Sequence, residues 1–190
     1  MGRTISILLA IVVLLLGHGS ARMGSATDAI RKTCSASRFP EVCFEVISSS
    51  MQTEYNDPKM MAVAAIDTAK RTTGSVLKTV RLLQKTRRMT PRERAASGDC
   101  EELLDQSLYE LQNSLDEIND EKQTDFRLMI NNVQTWVSAA LTDDMTCSDG
   151  LNENLHADAA EPNLQAQVEH LAKLNSVALE FITRYAASHH

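Results

Sequence analysis

The chain has 190 residues, of which 43% are hydrophobic, 23% charged and 4% aromatic, which is enough for one domain with a buried core. Seven glycines, four prolines and few aromatic residues argue against an architecture of strands and turns, so we expect a mostly helical protein. Nineteen basic and 25 acidic residues give a net charge of -6, which excludes general affinity for nucleic acid.

The amino terminus has the pattern of a secretory signal peptide. Arg3 precedes the apolar run ISILLAIVVLLLG, and small residues follow it. We predict cleavage after Ala21 or Ala26, so that residues 1–26 are the signal and 27–190 the mature domain. The apolar run is about a dozen residues long, shorter than the roughly 20 that span a bilayer. We therefore expect a secreted, extracellular protein with no membrane attachment after cleavage, and a mature chain that is still acidic.

All four cysteines lie beyond the predicted signal, at Cys34, Cys43, Cys100 and Cys147. An even number of cysteines in a secreted chain predicts two disulfides, for which three pairings exist. The wide spacing of the cysteines does not match the paired ligands of a zinc site, so no metal site is expected.

The first part of the mature domain, residues 27–56, is predicted to be a small helical hairpin. Residues 28–34 and 42–50 are predicted to form two short helices on either side of the turn SASRFPE. Such a pair buries too little surface to persist alone. A bond between Cys34 and Cys43 would close a loop of about ten residues and contribute roughly 2.7 kcal/mol.

Two long helices follow, each with a clear start. Asp57 before Pro58 predicts the first, which continues to about Thr86. Thr90 and Glu93 form a capping box that begins the second. Apolar or small residues recur at helical spacing along both. In the first helix they are Met61, Ala65, Ala69, Val76, Val80 and Leu83, and in the second they are Cys100, Leu104, Leu108, Leu111, Leu115 and Ile118.

Two further helices complete the predicted fold. The third carries Phe126, Met129, Val133, Val137, Ala140 and Cys147 on one face, and the fourth, from about 163 to 187, carries Leu164, Val168, Leu171, Leu174, Ala178, Phe181 and Tyr185. Four amphipathic helices over 57–190 predict an all-α protein, an up-and-down four-helix bundle behind the disulfide-closed hairpin.

Loop closure favours the bonds Cys34–Cys43 and Cys100–Cys147. The second bond closes about 48 residues and contributes roughly 4 kcal/mol. The other two pairings would bring the hairpin onto the second or third long helix, and no apolar stripe supports that contact.

The sequence contains no catalytic or cofactor-binding motif. G-x-S-x-G, H-E-x-x-H and glycine-rich phosphate loops are all absent. Neighbouring acids such as Asp143 and Asp144 point in different directions on a helix, which disfavours an acid/base pair. The single Trp136 is expected to be a core anchor. We therefore expect neither an enzyme nor a cofactor.

Charge is divided between two neighbouring stretches. Residues 70–94 contain nine basic side chains and one acid, Glu93, whereas residues 99–125 contain ten acids and one base, Lys122. Ordinary solvation of exposed faces accounts for such a pattern. The functional alternative is electrostatic steering toward an oppositely charged partner or an acidic polymer.

Several segments together resemble the plant invertase and pectin methylesterase inhibitor family. They are the early cysteine hairpin, CEELLDQSLYELQNSLDEI, VQTWVSAALTDDMTC followed by SDGL, and the tail VEHLAKLNSVALEFI. The resemblance implies a four-helix bundle with one disulfide in the hairpin and another between the second and third long helices. It also implies an inhibitor that binds a secreted carbohydrate-active enzyme in the plant cell wall, or apoplast, and blocks its substrate cleft.

The resemblance implies pectin methylesterase as the target, with cell-wall or vacuolar invertase as the alternative. Invertase inhibitors of this family carry Pro-Lys-Phe between the acidic second helix and the fourth cysteine. Here that stretch reads NDEKQTDFRLMI, and the Pro58-Lys59 pair elsewhere ends in Met60 and opens a helix. The run ending at Cys147 is instead similar to inhibitors of pectin methylesterase.

We predict a 1:1 complex in which the exposed face of the second and third long helices covers the esterase cleft. The predicted contacts, placed outward by periodicity, are Glu102, Asp105, Glu110, Asp116, Thr142, Asp143 and Asp144. Two other functions stay open. One is a carbohydrate-binding module that uses the basic stretch on pectin, and the other is a purely structural secreted bundle.

Overall fold

The computed structural model describes residues 27–49, 57–154 and 162–189, which form six helices and contain no strand. The predicted signal peptide lies outside these residues. The helices are α1 (27–34), α2 (Pro40–Ser49), α3 (Pro58–Thr86), α4 (Pro91–Ile118), α5 (Phe126–Asn154) and α6 (Pro162–Ala187). None of them is long and apolar enough to cross a membrane.

Local capping explains where the two central helices begin. Asp57 Oδ1 accepts hydrogen bonds from two backbone N–H groups in the first turn of α3, the shorter at 2.9 Å. At the start of α4, Thr90 Oγ1 accepts from Glu93 N at 3.2 Å, and Glu93 Oε2 accepts from Thr90 N at 2.8 Å. Both predicted starts are confirmed, because these caps satisfy N–H groups that have no partner within the helix.

The four long helices form the predicted bundle. Helix α3 packs against α4 and α6, and α5 packs against the same two helices, so the order around the bundle follows the chain. The predicted apolar stripes face its interior. The largest fully buried side chains are Phe181, Ile66, Leu104, Leu111, Leu151, Leu171, Leu174, Ile182, Val46, Val80, Val133 and Val137.

A disulfide joins α4 to α5, which form the most extensive helix pair of the bundle. Cys100 and Cys147 are both buried, and their Cα atoms lie 4.5 Å apart. The bond fixes the register between the two helices that carry all the predicted contact residues.

The hairpin of α1 and α2 is closed by the Cys34–Cys43 disulfide and rests against α3 and α6. Val46 inserts into the bundle core and is fully buried. Outside the core, Glu180 Oε1 accepts from Arg38 N at 2.9 Å. The hairpin is therefore held in place by its disulfide and by a small contact area with α3 and α6.

Candidate functional site

The side of α4 that faces solvent carries two acids and an aromatic residue in one line. Glu102, Tyr109 and Asp116 follow each other at intervals of seven residues, close to two helical turns, and all three are exposed. Tyr109 keeps 65% of its surface accessible. Asp116 Oδ1 accepts from Gln112 Nε2 at 2.7 Å. We call this line, Glu102, Tyr109 and Asp116, the outer face of α4.

A surface concavity of about 880 Å³ lies along the outer face of α4. Its lining residues come from α3, α4, the loop after α4, and α5: Val63, Asp67, Tyr109, Asn113, Leu115, Asp116, Glu117, Asn119, Asp120 and Trp136. The site thus combines two aromatic side chains with several carboxylates. Aromatic residues are enriched at protein interfaces because they contribute a large contact area together with a polar group.

The expectation that Trp136 anchors the core is wrong, because this side chain is only half-buried and lines the concavity. The buried stripe of α5 runs through Val133, Val137 and Ala140. Trp136 precedes Val137 by one residue, so it points about 100° away from the stripe and toward the α4 side.

Asp105 lies on the side of α4 that faces α3, where its charge is already paired. The Arg81 guanidinium bonds both Glu101, at 2.8 Å, and Asp105. Its hydrogen bond to Glu101 is the main cause that lowers the pKa of that carboxyl. Asp105 remains exposed, but Arg81 neutralises much of the charge that a partner would meet.

The prediction that Asp144 lies on the exposed face is wrong, because its side chain is fully buried. Asn175 Nδ2 of α6 donates to Asp144 Oδ2 at 2.7 Å. Burial raises the pKa of Asp144 to about 7, although the neighbouring Ser107 hydroxyl and the hydrogen bond from Asn175 favour its ionised form. The helical period itself places Asp144 inside, because it lies four residues after Ala140 and three before Cys147, both on the buried stripe of α5. The prediction was wrong because it placed this acid outward against that period.

Glu110 and Asp143 lie between the exposed face and the core. Both are half-buried, and Glu110 Oε2 and Asp143 Oδ2 have no hydrogen-bond partner among the described residues. Burial raises both pKa values, and the charge of Asp143 raises that of Glu110 further. Together with Ser107 of α4 and Asp144 of α5 they form what we call the α4–α5 seam.

Thr142 is exposed on α5, as predicted from periodicity. Its hydroxyl donates to the Ser138 carbonyl oxygen at 2.9 Å, so the group is turned back onto its own helix. Thr142 can therefore add contact area to an interface but has its donor occupied in the free protein.

The sequence-based prediction did not include Tyr109 among the contact residues and placed Trp136 in the core. The sequence does indicate that Tyr109 is exposed. Tyr109 is flanked at seven residues on either side by Glu102 and Asp116, two acids that already placed this line outside the core. This spacing places the Tyr109 ring on the solvent side of the amphipathic helix, where it is accessible to a partner.

The arrangement is suited to binding a macromolecule. Among the described residues, no group of three or more His, Cys, Asp or Glu side chains is placed to hold a metal ion. The outer face of α4 instead offers exposed carboxylates beside the Tyr109 ring, with Trp136 of α5 nearby, a combination that complements a basic protein surface.

Sequence comparison places these features in a known group of proteins. The profile of the family described as plant invertase/pectin methylesterase inhibitor matches residues 28–181. A "21 kDa protein" of Daucus carota is 32% identical over 179 residues, which cover 93% of each chain. Pectinesterase inhibitor 9 of Arabidopsis thaliana is 29% identical over 186 residues, covering 95% of this chain and 91% of that protein.

Structural comparison gives the same fold. A mutant form of a pectin methylesterase inhibitor from Arabidopsis, solved by crystallography, superposes with a TM-score of 0.66 at 15% sequence identity. The match covers 81% of this chain and 95% of that one.

Proposed function

This chain belongs to the plant invertase/pectin methylesterase inhibitor family, and we propose that it is a secreted inhibitor that binds a pectin methylesterase and covers its substrate cleft. The family match over residues 28–181 is the observation that carries this proposal. The proposed activity is inhibition, and no bond in the protein or its partner is made or broken.

The loop between α4 and α5 favours an esterase over an invertase as the target. This loop lacks Pro-Lys-Phe, and its polar groups bond within the chain: Asp120 Oδ1 accepts from Lys122 N at 2.9 Å. Phe126, which follows the loop, turns inward, with its ring centroid 5.2 Å from that of Tyr185. The loop therefore presents no apolar side chain that could enter a sugar-binding pocket.

The outer face of α4 is proposed as the surface that meets the esterase, with Trp136 beside it. Tyr109 and Trp136 would supply the buried centre of the interface, while Glu102 and Asp116 would form an acidic rim. A basic esterase surface complements such a rim and would be steered toward it. Because one bundle has one such face, the proposed complex contains one inhibitor for each esterase.

Secretion to the cell wall is part of the same proposal. The signal-like sequence of residues 1–26 would direct export, and the two disulfides require the oxidising environment of the secretory pathway. An extracellular inhibitor would reach the esterase where it acts on pectin.

Parallel inhibition assays test the choice of target. Purified pectin methylesterase, at a concentration well above the dissociation constant, is titrated with the mature chain, and a cell-wall invertase is treated identically. We expect esterase activity to fall linearly to zero near one equivalent while invertase keeps its activity. Inhibition of invertase at equal or lower doses would overturn the assignment, and an equivalence point far from one would overturn the 1:1 complex.

A further inference from the structure

The outer side of α3 carries a row of exposed cations that the inhibitor function does not use. Lys78 and Lys85 are seven residues apart, and Arg88 follows just after the helix ends; all three are exposed. None of them has an ion-pair partner within the part of the chain that the structure describes. We call these three residues the α3 cationic face.

Two other basic residues of α3, Arg71 and Arg81, are already paired, which separates them from the α3 cationic face. Arg71 bonds Asp67 at 2.8 Å within α3, and Arg81 bonds two acids of α4. These bonds neutralise Arg71 and Arg81. Lys78 and Lys85 lie on the same stripe of α3 as Arg81, three residues before it and four after it, and Lys85 adds to the effect of Arg81 in lowering the pKa of the Glu101 carboxyl. Neither lysine forms an ion pair among the described residues, so both ammonium groups remain open to solvent.

The one acid within residues 70–98, Glu93, does not offset this charge at the surface. It is only 6% exposed, and its carboxylate accepts from Thr90 N at 2.8 Å, Thr90 Oγ1 at 2.9 Å and Arg87 Nη2 at 3.2 Å. The capping box thus turns the carboxylate inward. The end of α3 remains cationic in a chain whose net charge is -6.

The spacing of the α3 cationic face suits an extended polyanion. Lys78 and Lys85 lie about 10.5 Å apart along the helix axis, so a chain with repeated negative groups could contact both. Residues 70–98 contain no aromatic side chain on which nucleic-acid bases could stack. Leu82 is the one large hydrophobic side chain of α3 that is strongly exposed, too little for insertion into a membrane.

We propose that the α3 cationic face binds acidic galacturonan, the carboxylate-bearing polymer that a pectin methylesterase produces. The choice of polymer rests on the proposed function, whereas the polyanion-binding surface rests on Lys78, Lys85 and Arg88. Such binding would hold the inhibitor on wall regions where the esterase has already acted, with the outer face of α4 free for the enzyme.

A matched pair of triple variants tests this inference. K78Q/K85Q/R88Q removes the α3 cationic face, and K32Q/K122Q/R127Q removes two exposed lysines and one exposed arginine from other helices and loops. Both variants lose the same charge. Each is assayed for binding to immobilised polygalacturonate and to highly methyl-esterified pectin over a range of salt concentrations.

We expect the unmodified mature chain to bind polygalacturonate at low salt, to bind esterified pectin much more weakly, and to dissociate as salt rises. K78Q/K85Q/R88Q should lose at least tenfold in affinity and most of the salt dependence, whereas the control should stay within twofold. Absence of binding, equal loss in both variants, or equal binding to both polymers would overturn the inference.

Esterase inhibition, measured on the same preparations, keeps the two proposals separate. We expect both variants to inhibit the esterase like the unmodified chain. Inhibition without polygalacturonate binding would refute only the galacturonan inference, and binding without inhibition would refute only the proposed function.

Discussion

The outer face of α4 and the α4–α5 seam carry the same kind of acidic residue in opposite surroundings. Glu102 and Asp116 are exposed to solvent, whereas Glu110, Asp143 and Asp144 lie at least partly inside the bundle, where burial raises their pKa values. The position of an acid on its helix, and not its residue type, therefore decides whether its carboxylate meets solvent or the bundle interior. The exposed acids can meet a partner, and the seam acids make the fold sensitive to pH.

The largest expected effect comes from removing the covalent link across these two helices. Replacing Cys100 and Cys147 together by Ala opens a loop with a sequence separation of 47 and should lower the free energy of unfolding by about 4 kcal/mol. Urea denaturation measures the loss. C34A/C43A opens a separation of only 9 and should cost about 2.7 kcal/mol. A larger loss in C34A/C43A would contradict the greater constraint assigned to α4 and α5.

Ionisation of Asp144 should destabilise the fold as pH rises. Its pKa is raised from 3.8 to about 7 by burial, so between these values the folded chain holds a proton that the unfolded chain has released. The free energy of unfolding should therefore fall through this range, by up to about 4 kcal/mol, and level off above it. Glu110 and Asp143 act in the same direction. Denaturation at about pH 4 and about pH 8 measures the change.

D144N isolates the contribution of the buried acid. The Asn side chain does not ionise and can still accept a hydrogen bond from Asn175, so most of the pH dependence should disappear. E153Q, which changes an exposed acid of the same helix, should retain it. Full pH dependence in D144N would show that Asp144 is not the group responsible.

On the outer face, loss of Tyr109 should weaken inhibition without weakening the fold. If the exposed ring is buried at the centre of the complex, Y109A should raise the inhibition constant about 30-fold, the effect of a typical interface hot spot. L82A removes a similarly exposed apolar side chain from α3 and should have no such effect. Equal inhibition by Y109A and the unmodified chain would remove Tyr109 from the interface.

Charge reversal should have the smallest effect and should act on the association rate. E102K/D116K should slow association with a basic esterase several-fold, with less effect at higher salt, because rim charges steer encounter. Asp105 is omitted because Arg81 already pairs it. K85E/R88E, on the α3 cationic face, should leave the rate nearly unchanged. The opposite ranking in surface plasmon resonance would move the interface to α3.

Helix boundaries and the bundle could be predicted because their signals are local. The Asp57 cap and the capping box of Thr90 and Glu93 act within one turn, and the apolar stripes need only helical periodicity. The positions of Trp136 and Asp144 also follow from their spacing to the buried stripe of α5, but residue type was given more weight than that spacing. Trp136 was therefore assigned to the core although it is half-buried, and Asp144 to the surface although it is buried. Which flank of α5 faces α4 depends on packing between helices and could not be predicted.

Hydroxyl-radical footprinting of the free chain and its complex with pectin methylesterase tests most directly whether the outer face of α4 is the inhibitory surface. Tyr109 and Trp136 report on that face, while Leu82 on α3 and Met145 on the opposite side of α5 are exposed reference residues. We predict that Tyr109 and Trp136 lose reactivity in the complex while Leu82 and Met145 keep theirs. Protection of Leu82 or Met145, with Tyr109 and Trp136 still reactive, would contradict the account.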